Sequence, residues 1–71
     1  MNGDKFRATL SKYMQLRHIS TREALRLHTT IGSNKTFSKY WNDPGLMPVD
    51  EFLNICRALN IPHEERSEML K

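Results

Sequence analysis

Between Glu23 and Asp43 the chain contains no acidic residue, although Arg26, Lys35 and Lys39 lie in that interval. Cysteine is almost missing too. Cys56 stands alone, which excludes an internal disulfide and suits a reducing compartment. No apolar run approaches the roughly 20 residues that a membrane-spanning helix needs. Met1-Asn2-Gly3-Asp4-Lys5 lacks the hydrophobic segment of a secretory signal. The expected protein is therefore soluble, intracellular and cytoplasmic, with no membrane partner. No alternating apolar–polar run is long enough for a sheet, and there are no repeats, low-complexity segments or long linkers. Nucleophile–base pairings, glycine-rich phosphate loops and opposed carboxylate pairs are all missing, which argues against an enzyme, a cofactor or a small-molecule substrate. No histidine lies at ligand spacing from Cys56, so no metal is expected and the thiol reads as inert packing.

What is present is a 71-residue chain of net charge +3, enough for a single domain over 1–71. A chain of this size buries only about 60% of its unfolded surface, so its stability should be modest. The charge is unevenly spread. Met1–Asn42 carries eight basic and two acidic residues, a net +6, and Asp43–Lys71 carries three basic and six acidic, a net −3. That split is what a polyanion-facing half beside a solvent- or partner-facing half would look like. Two ordinary solvated surfaces would also produce it.

The apolar spacing predicts helices. Phe6, Leu10, Tyr13 and Met14 fall on one stripe of a first helix over 4–18. Ile19-Ser20-Thr21 breaks it and supplies a capping hydroxyl for a second helix over Thr21–His28, with Ala24, Leu25 and Leu27 inward. Thr29–Gly32 connects it to the next helix, and Ile31 serves as the apolar pin of that turn. Ser33 caps a third helix over 33–41, closed by the turn-forming Asn42-Asp43-Pro44-Gly45. At 100° per residue, Phe37, Tyr40 and Trp41 share one face of this short helix. Lys35 and Lys39 lie opposite, flanked by Thr36 and Ser38, with Asn34 at the exposed tip. Pro48 opens a fourth helix whose Val49, Phe52, Leu53, Ile55, Cys56 and Leu59 make it the most apolar element. A short fifth helix fits Pro62–Leu70. Phe6, Leu10, Met14, Leu25, Phe37, Phe52, Cys56 and Leu59 form the expected core. His18 and His28 fall at helix ends, where a cation complements the helix dipole.

A helix, a short turn and a short polar-faced helix is the helix-turn-helix plan. Ile19–Leu25, Gly32-Ser33, Thr36–Tyr40 and Met47–Ile61 together resemble the phage Cro/CI repressor (XRE-type) DNA-binding family over about residues 6–61. The match is nearest in the fourth helix, which ends Ala58-Leu59-Asn60-Ile61. The resemblance implies an all-α, compact four-to-five-helix domain of lambda repressor-like architecture. It implies sequence-specific binding of double-stranded DNA by helix 33–41, transcriptional regulation, and two copies on a two-fold symmetric operator. Carried over by position, Ser33 caps the reading helix and Asn34 and Lys35 read bases. An asparagine amide can pair with both edge atoms of adenine, and a lysine can donate to guanine. Thr36, Ser38 and Lys39 add base or phosphate contacts, and Thr21 and Arg22 hold a phosphate. Two features depart from the family pattern. The second helix has Ala24-Leu25 where Leu-Ala is usual, and its glycine comes late, at Gly32, so the turn is longer.

A blander reading stands beside each sharp one. Tyr40 and Trp41 could stack on bases, but aromatics spaced with Phe37 are ordinarily core. Lysines four residues apart are ordinarily solvated. Here the acid-free interval and the helix-turn-helix context favour groove or phosphate contact. The alternative function is a small helix-turn-helix module for protein contacts, such as an antirepressor or assembly factor, in which Met69-Leu70 and the acidic half would matter most.

Overall fold

Asn2, Thr21 and Ser33 each precede a helix and accept a backbone N–H from three residues on, at 3.1 Å in every case, from Lys5, Ala24 and Thr36. The computed structural model describes all residues, 1–71. Those caps open α1 (Gly3–Leu16), α2 (Arg22–Arg26) and α3 (Asn34–Asn42). A single 3-10 turn, Pro44–Leu46, leads to α4 (Val49–Leu59) and then α5 (His63–Leu70). Pro48 and Pro62 precede these last two, where a missing N–H has no helical carbonyl to lose. There is no strand, so the fold is all-α with five α-helices. No helix is long and apolar enough to cross a membrane.

Two helices close in the same manner. His18 (φ 60°) and Asn60 (φ 53°) adopt the left-handed conformation just past α1 and α4. The following residues then bond back into the helix, Ile19 N–H to the Met14 carbonyl and Ile61 N–H to that of Cys56, both at 2.9 Å. This is the Schellman ending, with an isoleucine rather than water against the last turn each time. Arg17 ties the two endings together by donating through Nε to the Leu59 carbonyl at 2.9 Å.

All eight residues expected in the core are buried. Tyr13, Ile31, Met47, Ile55, Ile61 and Met69 complete a single cluster with them, and Ile31 is buried as the pin of the α2–α3 connection. The Cys56 thiol lies inside this cluster, and burial pushes it up to about 11. Two inward assignments are corrected. Leu27 and Val49 are each 71% exposed. Leu27 caps α2, which stops at Arg26 rather than His28, and its backbone is still helical, so at about 100° per residue it lies on the side opposite the buried Leu25. Val49 is the first residue of α4, before the helix has turned onto the core.

Candidate nucleic-acid interface

The cationic helix α3 is held from behind, at its far end and at its entry. Behind it, Phe37 is buried, and Trp41 packs edge-to-face on Phe6 of α1 with centroids 6.1 Å apart and planes at 70°. Phe37 and Trp41 also pack together, with centroids 6.5 Å apart and planes tilted by 50°. Such pairs contribute beyond the area they bury. Tyr40 and Trp41 are both half-buried against the core, so the aromatic stripe anchors the helix. At the far end, Arg7 of α1 donates Nη1 to the carbonyls of Trp41 (3.0 Å) and Asn42 (3.2 Å). These are last-turn carbonyls without a partner inside the helix, and a cation there complements the dipole. Asp4 steadies the same guanidinium through Nη2 at 3.0 Å.

The entry is built more elaborately. Ser33 Oγ accepts the Thr36 N–H and donates to Thr36 Oγ1 at 3.0 Å, which ties down the first turn. Arg26 ends α2 and reaches across the connection, with Nη1 on the Ile31 carbonyl at 3.0 Å and Nε on Asn34 Oδ1 at 2.7 Å. Beneath the connection lies Glu51, a carboxylate only 7% exposed. It accepts from the Thr30 N–H (3.2 Å), from the Thr30 hydroxyl, and from Asn54 Nδ2 (3.1 Å). A buried carboxylate is costly unless its oxygens are filled, and here three donors fill them. The residues between α2 and α3, Leu27–Ser33, thus replace a short turn with a longer one bonded at several points.

Facing away from this scaffold, Lys35 and Lys39 are exposed, and neither belongs to an ion pair. Asn34 is exposed beside them, and Thr36 and Ser38 are half-buried on the flanks. Thr21 is engaged as the cap of α2. Arg22 lays its guanidinium over the Trp41 ring at 5.4 Å, a cation–π contact that joins the start of α2 to the end of α3. Ser11, Gln15, Ser20, Thr21 and Arg22 rim a cavity of about 590 Å³ floored by Met14, Ile19 and Trp41. The expected site residues therefore occupy α3 and the start of α2, joined at one end by Arg22 on Trp41 and at the other by Arg26 on Asn34.

No known family, characterised protein or solved structure matches this chain. The resemblance to phage repressors rests on the residues alone.

The geometry also separates cations that serve the fold from those that do not. Of the eight basic residues in Met1–Asn42, Arg7, Arg17 and Arg26 bind backbone carbonyls, and Lys12 lies 3.3 Å from Glu65 on α5. Arg22 lies over the Trp41 ring, and Lys5 on α1 and Lys35 and Lys39 on α3 are left with no internal partner. Nothing in a linear spacing says that an arginine on α1 will meet a carbonyl 34 residues away. Glu51 is a further functional residue that the sequence barely marks. Its signal was weak: an acid near the start of the most apolar helix. No group of three or more His, Cys, Asp or Glu side chains converges in a way that could hold a metal ion.

Proposed function

We propose that this chain is a sequence-specific double-stranded DNA-binding protein, a transcriptional regulator of the phage Cro/CI type, that reads the major groove with α3. The observation that carries the reading is the pair Lys35 and Lys39, unpaired on a helix whose other face and both ends are fixed by the fold. A rigid helix with free cations and amide or hydroxyl groups, and no carboxylate among them, suits a groove lined by phosphate and base edges. In this reading α2, the bonded connection and α3 are the helix-turn-helix unit. Thr21 and Arg22 meet a phosphate from the start of α2, and Ser33 positions the first turn of α3. In this reading the protein acts by occupying DNA, in the cytoplasm and on the nucleoid when bound. One module makes few phosphate contacts, so specific binding takes two copies on a two-fold symmetric operator.

In the protein-contact alternative Met69-Leu70 and the acidic half would matter most, and the lysine face would be solvent. Met69 is fully buried and Glu65 and Glu68 pair with Lys12 and Lys71, while Leu70, Asp43, Asp50 and Glu64 stay exposed.

The test is a titration of duplex binding against salt. Affinity should fall steeply as salt rises, because each neutralised phosphate releases counterion. Lys39→Ala and Arg22→Ala should each flatten the log–log slope by about one unit while leaving base preference alone. Neutralising Glu64, Glu65 and Glu68 together should leave the slope nearly unchanged. Duplex binding that is absent at low salt would remove the proposal.

A further inference from the structure

Asn34 opens α3, and its carboxamide oxygen accepts a bond from Arg26 Nε at 2.7 Å. A guanidinium has donors only, so this contact fixes which end of the amide points where. The oxygen faces Arg26, and Nδ2 with its two hydrogens is the end left free. The holder is itself held. Arg26 Nη1 binds the Ile31 carbonyl at 3.0 Å, and the Arg26 carbonyl receives the Thr29 hydroxyl at 2.7 Å. Thr29 Oγ1 in turn accepts the Ile31 N–H at 3.1 Å. The last residue of α2 and the first of α3 are thus joined through a closed set of bonds, and the amide is oriented before any ligand arrives.

That orientation changes what Asn34 can read. An unrestrained asparagine pairs with adenine by using both ends, its oxygen accepting from N6 and its nitrogen donating to N7. Here a charge-assisted bond, stronger than a neutral one, turns the oxygen onto Arg26, so the NH2 end is the one offered to a base. We infer that Asn34 is a specificity residue that acts as a donor alone and selects guanine, whose O6 and N7 are both acceptors. Adenine is disfavoured because its N6 donor would face the donor end of the amide. This inference rests on the reading of α3 as the groove-facing helix. Arg26 is then a positioning residue, setting the polarity of a neighbour rather than touching the base.

The experiment is site selection from random duplexes with the wild-type chain and three variants, each checked for its helical circular dichroism melt. The wild type should show guanine at one position per half-site, and that preference should vanish in Asn34→Ala. In Asn34→Asp one oxygen keeps Arg26 and the other presents an acceptor to the groove. Preference at that position should invert from guanine to cytosine, whose N4 is a donor, by roughly tenfold or more. Arg26→Met frees the amide and should bring adenine level with guanine there. If Arg26→Met fails to fold, the Asn34→Asp inversion decides alone, since that variant keeps the clasp and adds an acid at a helix N-terminus. An Asn34-dependent preference for adenine in the wild type would overturn the inference, as would Asn34→Asp retaining guanine, or no position depending on Asn34. In those three cases the chain still selects DNA sites, and only the role of Asn34 is wrong. Wild-type chain that binds no duplex would instead remove the DNA-binding reading, and this inference with it.

Discussion

Helices α3 and α5 are nine and eight residues long and both lie against α1, yet two carboxylates of α5 are paired within the fold and neither lysine of α3 is. On α5, Glu65 lies 3.3 Å from Lys12 and Glu68 lies 2.9 Å from Lys71. On α3, Lys35 and Lys39 have no counterpart. The means of attachment differ as well. The buried contribution of α5 is Met69, whose carbonyl also receives the Asn2 N–H at 3.0 Å, whereas α3 is pinned by an aromatic stripe and clasped at both termini. A charge answered within the fold stabilises the fold, if only weakly at a surface. A charge left unanswered, on an element fixed this firmly, is available to something outside. Net charge alone would have ranked the two halves by sign and missed that distinction.

The largest effect should come from cutting the aromatic pin. Phe37→Ala should destabilise the domain by about 3–5 kcal/mol in urea unfolding, which a domain of this size will barely survive. A loss below about 1 kcal/mol would mean that α3 is not anchored by its aromatic face, and the contrast with α5 would collapse.

Next comes the entry to α3. Glu51→Ala leaves the Thr30 N–H and hydroxyl without their acceptor in a half-buried place, and should cost about 1–3 kcal/mol. Hydrogen exchange at Thr30 and Ile31 should quicken more than exchange across α5, which would sharpen the comparison by locating the loss at one helix.

The smallest effect is the pH dependence carried by α5. The Tyr13 hydroxyl, and then Lys12, draw the Glu65 carboxyl below its ordinary value of 4.5. Folding therefore favours the charged form. Its contribution is present above the ordinary carboxylate range and is lost as pH falls through the lowered value. Tyr13 is shifted upward, chiefly by that same carboxylate, so its contribution is lost as pH rises past its ordinary value of 10.0. Glu65→Gln should flatten the acid side of a stability–pH curve measured by thermal melts. Lys35→Ala and Lys39→Ala should leave that curve as it is.

Much of this was legible in advance, for identifiable reasons. The helical spacing of Phe6, Leu10 and Met14, and of Phe52, Cys56 and Leu59, marked inner faces correctly because a residue in mid-helix has its direction set by the period. Ser33 and Thr21 announced themselves as caps, since their chemistry is local. Leu27 points away because the helical turn carries it opposite Leu25, and Val49 because it opens α4 before the helix meets the core. His18 gave no sign that it would take a left-handed conformation, a position usually signalled by glycine. The arginine clasps were out of reach altogether. Arg7, Arg17 and Arg26 find their partners only once the helices are packed. The Asn34 position was legible as a candidate reader, but the direction of its amide depends on a residue in another helix.

The buried thiol of Cys56 makes the chain its own stability probe. A thiol reagent attacks the thiolate, and a thiol held at about 11 inside the core has almost none at neutral pH, so modification waits for the molecule to open. The modification rate then follows the open fraction. Any ligand that binds only the closed form lowers that fraction by one plus its concentration divided by its Kd. A duplex added to the unmodified wild-type chain would announce its affinity as a slowing of chemistry at a cysteine it never touches.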